Sequence, residues 1–151
     1  VVTGLLVAWM NGYIGTALAL QRPFLAIGIG MWLALIMAFN VWFIIWPNQK
    51  IVCGIVSGDA SKAGPKALLA SRTNVLFSGP MLMFMGSSSH LSHGLLGSAS
   101  SAALWIVIAI IAALQANAIF GKLHKPMVTV KGIIHCSIAL AVVLWLIMSL
   151  L

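Results

Sequence analysis

The side chains able to do chemistry in this chain are few, and most are neutral. Asn40 sits inside the apolar run of "FNVWFIIWPNQK", which ends in Asn48, Gln49 and Lys50. Arg72 and Asn74 follow in "ASRTNV", and Asn11, Tyr13, Gln115, Asn117 and His135 lie within other apolar stretches. Polar groups placed in lipid-like surroundings are costly, so each marks either a contact between helices or a site. The sharper expectation is a polar pocket in which Asn40, Asn48 and Asn74 approach one another, rimmed by Gln49, Lys50 and Arg72. A basic rim suits an anionic ligand. The plainer expectation is amide hydrogen bonding between helices.

A second group stands in "GPMLMFMGSSSHLSH". Met81 and Met85 are four residues apart, and His90 and His93 three, so each pair can share a helix face. Thioether and imidazole together suit copper, and imidazole also ligates haem iron. Met85, His90 and His93 are therefore the candidate metal or haem ligands. The alternatives are gap-filling methionine and solvated histidines at a helix exit.

Other chemistries are excluded. The 151 residues include a single acidic side chain, Asp59, against eight Lys and Arg. Paired-carboxylate catalysis and an acidic proton relay within the chain are ruled out. No haem c attachment, phosphate-loop, dinucleotide or nucleophile-elbow motif occurs. No catalytic residue can be named. Cys53 and Cys136 do not form a disulfide framework and are expected as free thiols.

The elements that position these residues follow from composition. Hydrophobic residues make up 62% and charged residues 6%, with a mean hydropathy of +1.15. A soluble domain carries about a quarter charged residues. The fold class is therefore an all-α integral membrane bundle of about five transmembrane helices, forming a single domain. The expected spans are about 1–20, 24–46, 74–90, 102–121 and 132–151, each long enough to cross a bilayer core of about 30 Å. Pro47 ends the second span, Trp42 and Trp46 anchor it at the interface, and residues 47–73 form a loop. Asn74 opens the third span as a cap. Within the loop, "GPKALLASR" is either a short interfacial helix or an ordinary connection.

Charge sets the topology. Lys50, Lys62, Lys66, Arg72, Lys122, Lys125 and Lys131 fall in the second and fourth connections, and Arg22 alone in the first. Positive residues accumulate on the cytoplasmic side. The 47–73 loop and the N-terminus are expected inside, the C-terminus and His90 outside, in a prokaryotic inner membrane. The net charge of +7 faces lipid headgroups, and no nucleic-acid partner is expected. Val1 in place of Met, with apolar runs at both ends, points to part of a longer chain.

"FNVWFIIWPNQK" followed by "ASRTNVLFSGPMLMFMGSSSH" resembles the membrane domain of the bacterial membrane-bound urate oxidase (urate hydroxylase) family. The matching positions are Asn40, Pro47, Asn48, Gln49, Lys50, Ser71, Arg72, Asn74, Pro80, Phe84, Met85 and His90. The resemblance implies a shared helical membrane fold. Family enzymes are longer, have more intramembrane histidines and carry a C-terminal cytochrome c domain, whereas this chain has Trp9, Met10 and Asn11 in its first helix. The expected function is a non-catalytic accessory subunit of a larger membrane redox complex, partnered by the bilayer and by other subunits. The alternatives are a urate-oxidase-like oxidoreductase served by a separate cytochrome, and a haem- or copper-binding membrane protein using His90.

Overall fold

A computed structural model describes residues 1–90 and 99–151, with the side chains of Ser89 and His90 outside the description. The described chain is all-helical. Helix α1 (Val2–Met10) and the short α2 (Ile14–Leu18) precede α3, which runs continuously from Leu25 to Val52. Helix α4 spans Ala60–His90, α5 Ser101–Phe120, α6 Lys125–Val128 and α7 Val130–Leu150. Three of these, α3, α5 and α7, are long and apolar enough to cross a membrane.

Three expectations are corrected. The first span is not one helix. Asn11 closes α1, its amide donating to the Val7 carbonyl at 2.8 Å, and Gly12 turns the chain with φ +76°, a conformation that side-chain-bearing residues rarely adopt.

Pro47 does not end α3. The helix widens into a π-helical segment at Asn40–Ile45, and the Trp46 N–H reaches the Val41 carbonyl, five residues back. The missing Pro47 donor thus falls where the hydrogen-bond ladder is already changing register, and the helix continues to Val52.

Residues 47–73 are not a loop, and Asn74 does not cap a helix. The connection shrinks to the turn between Val52 and Ala60, because Ala60, Ala63, Lys66, Ala67, Leu68, Leu69 and Ala70 are strong helix formers that extend α4 backwards.

Asp59 starts α4. Its carboxylate accepts from the Ser61 N–H at 3.0 Å and the Ser61 hydroxyl at 2.6 Å. The Ser61 hydroxyl bond is the main cause holding the Asp59 carboxyl below the ordinary carboxylate range. A depressed carboxylate stabilises its contacts above the unfolded pKa and loses them as pH falls through the folded one. Acidification below the ordinary carboxylate range should therefore raise amide hydrogen exchange at Ser61, Lys62 and Ala63 relative to their intrinsic rates. Exchange further along α4, at Leu76 and Phe77, should keep its intrinsic pH dependence; a uniform change along α4 would contradict a local cap.

α4 is the central helix. Asn40 meets Asn74 and Gly30 packs on Met85, so α3 runs antiparallel to α4. Gly79 meets Ser137 and Phe84 meets Trp145, so α7 runs parallel to it. The Ser100 N–H bonds to the Leu151 carbonyl, which sets α5 antiparallel to α7. Phe77 and Phe84 of α4 are fully buried among Leu33, Val107, Leu144 and Met148 from the other three long helices. α4 is less apolar than its neighbours because its first turns carry the exposed Ser61, Lys62 and Lys66, and because Asn74 faces α3. Trp42, Phe43 and Trp46 instead point outward, 58%, 67% and 58% exposed, as interfacial anchors do.

Candidate functional site

Asn40 lies at the start of the π-helical segment, is fully buried and contacts two helices at once. Its Nδ2 donates to Asn74 Oδ1 at 2.9 Å and to Gln115 Oε1 at 3.0 Å. Gln115 Nε2 donates back to Asn40 Oδ1 at 2.6 Å. Asn40 and Gln115 thus form a closed amide pair, each donating to and accepting from the other. Asn74 completes the group by donating to the Met37 carbonyl at 3.0 Å.

Both hydrogens of the Asn40 amide are used, and its oxygen accepts. The cluster joins α3, α4 and α5 through three neutral side chains. None titrates in the physiological range, so the clasp neither moves protons nor responds to pH.

The other expected site residues do not join it. Asn48 turns back on its own helix and donates to the Ile44 carbonyl at 2.6 Å. Gln49 is exposed, and Lys50 places its ammonium 6.0 Å from the Trp46 ring centroid. Arg72 is half-buried; its Nε is buried without a hydrogen-bond partner among the described residues. The hydrogen bonds of the described residues thus join Asn40 to Asn74 but leave Asn48 outside the cluster. Asn40 and Asn74 meet each other, while Asn48, Gln49 and Lys50 occupy the last turns of α3.

Gln115 is the residue that sequence reasoning left out of the site. It was visible as an amide in an apolar helix. Its partner, 75 residues away in sequence, was not.

Met85 packs its side chain over Gly30 of α3, a gap-filling role. His90 is the last residue of α4, and His93 lies outside the described residues. Among the described residues no group of three His, Cys, Asp or Glu side chains is placed to hold a metal ion.

The family model described as urate oxidase N-terminal matches residues 1–149. No curated protein and no solved structure matches the chain. The likeness carried by residues 39–90 therefore extends along almost the whole sequence, and the chain belongs to the urate oxidase N-terminal family.

Proposed function

We propose that this chain is a membrane-embedded accessory subunit of a larger urate-oxidase-type redox complex, and that its bundle holds helices and partners in place without carrying out the oxidation itself. The closed Asn40–Asn74–Gln115 clasp supports this reading most directly. The buried amides at the heart of the bundle spend their hydrogen-bonding capacity on one another, which is what a structural joint requires. In this reading α4 makes a fourth crossing beside α3, α5 and α7, and α1 with α2 packs against the starting half of α3. Seven of the eight basic residues stand on α3, α4, α7 and their connections at the end away from Arg22, which suits a cytoplasmic placement of that end.

The test is urate consumption by the chain purified from membranes, with cytochrome c as electron acceptor, together with an absorbance spectrum and native electrophoresis of mild detergent extracts. The expected result is no urate loss from the chain alone and migration in an assembly larger than the chain. Turnover by the isolated chain would overturn the proposal in favour of an oxidoreductase served by a separate cytochrome. A haem band or bound copper that disappears in His90→Ala but persists in His93→Ala would instead assign His90 as a ligand.

A further inference from the structure

At the basic end of the bundle, a cavity of about 430 Å³ opens between the early turns of α4 and the end of α5. Pro65, Lys66, Leu68 and Leu69 line one side, and Ile119, Phe120, Gly121, Lys122 and Leu123 the other. Two lysines from different elements thus stand at the rim of one apolar-floored recess. Phe120 is 87% exposed and Leu68 45% exposed, so apolar surface continues outward from the recess.

The charges here lack an internal counterion. The sequence holds one acidic side chain, and Asp59 is engaged by Lys62 at 3.5 Å. Lys66 and Lys122 therefore have no carboxylate side chain left to pair with. The end of α5 adds a partial negative charge from its last carbonyls, equivalent to about half an elementary charge. Two full positive charges outweigh it. The Asn117 amide also donates to the Lys122 carbonyl at 3.5 Å, tying the lysine backbone to the helix end.

We propose that this recess binds one anionic phospholipid, its headgroup phosphate between Lys66 and Lys122 and an acyl chain along Leu68 and Phe120. The apolar floor and the exposed Phe120 favour a lipid over free phosphate, because inorganic phosphate gains nothing from either. The site rests on the membrane placement of the bundle, and its test separates the two ideas.

The protein is purified in detergent, supplied with equal phosphatidylglycerol and phosphatidylcholine, and examined by native mass spectrometry. Wild type should retain one phosphatidylglycerol in preference to phosphatidylcholine. Lys66→Ala should weaken retention about fivefold, and Lys66→Ala/Lys122→Ala about thirtyfold, at the usual contribution of each basic residue near an anionic surface. Lys66→Arg/Lys122→Arg should keep the preference, which guards against loss through misfolding. Lys50→Ala/Lys131→Ala, equal in charge removed but outside the recess, should leave it intact.

Equal retention of both lipids, unchanged retention in the double alanine variant, or an equal loss in the Lys50/Lys131 control would overturn the site. So would displacement of the lipid by millimolar inorganic phosphate. Recovery of the chain in the aqueous fraction without detergent would overturn the membrane placement itself. Recovery in detergent without lipid preference would overturn the site alone.

Discussion

Asn40→Ala is expected to lower the stability of the bundle by about 2 kcal/mol. The substitution removes three hydrogen bonds at once, two to Gln115 and one to Asn74. Contacts of this kind between membrane helices average about 0.6 kcal/mol each, which sums to nearly 2 kcal/mol. The cost of leaving a buried polar group unpaired, about 1–3 kcal/mol, gives the same size of effect. At about 2–4 °C per kcal/mol for a chain of this length, the melting midpoint in detergent should fall by roughly 4–8 °C.

Asn48→Ala is the control. Its amide bonds only the Ile44 carbonyl on the same helix, so the midpoint should move by no more than about 1–2 °C, the scale of a single modest bond. Replacing Asn40, Asn74 and Gln115 together by Leu leaves no orphaned amide and should recover much of the lost stability. Equal effects of Asn40→Ala and Asn48→Ala would show that the clasp does not hold the bundle together.

The same comparison shows how much of the fold was legible in the sequence. Apolar runs of about membrane-crossing length marked α5 and α7 closely, because lipid-facing helices must be apolar along most of their surface. The apolar run expected as a span over 74–90 marked the second half of α4. Asn74, Ser78 and Ser87 interrupt its apolar pattern without interrupting the helix. Its first half reads as a loop for a different reason: lysines and small residues look like a connection when the neighbouring helix that accompanies them, the end of α3, is expected to stop at Pro47. One misjudged proline therefore displaced two boundaries. The π-helical segment that lets the chain pass through Pro47 has no composition of its own to betray it.

The candidate site was legible in its members and not in its pairing. Burial cost singles out Asn40, Asn74 and Gln115 one by one, because each is an amide in an apolar helix. Which amide meets which depends on helix directions and on the register change at Asn40–Ile45. Asn48 illustrates the limit. It stands in the same motif as Asn40, two turns along the same helix, yet satisfies itself locally. Sequence proximity to a motif is a weaker guide to a shared site than position on the helix face that meets the partner.

A heavy penalty is also expected where α4 and α7 pack through Gly79 and Ser137. A Cβ added at Gly79 would lie 2.5 Å from the Ser137 hydroxyl and 2.8 Å from the Ser137 carbonyl oxygen. The hydroxyl can rotate away, but the carbonyl belongs to the backbone of α7, so the helices must separate. Separation also breaks the bond from the Gly79 N–H to Ser137 Oγ, now 3.0 Å. Overpacking costs about 1–3 kcal/mol and the lost bond about 1 kcal/mol, while alanine regains about 1 kcal/mol of helix propensity. Gly79→Ala should therefore destabilise by up to about 3 kcal/mol, and Gly79→Leu by more. Gly86 supplies the internal control. It lies on the same helix with nothing within 4 Å of its added Cβ, so Gly86→Ala keeps only the propensity gain and should be neutral or slightly stabilising. Ser137→Ala in the Gly79→Ala background removes the hydroxyl clash but not the carbonyl one, and should rescue only in part. Thermal melts of the wild type and the four variants in one detergent decide the matter: if Gly79→Ala and Gly86→Ala melt alike, α4 and α7 do not pack through Gly79.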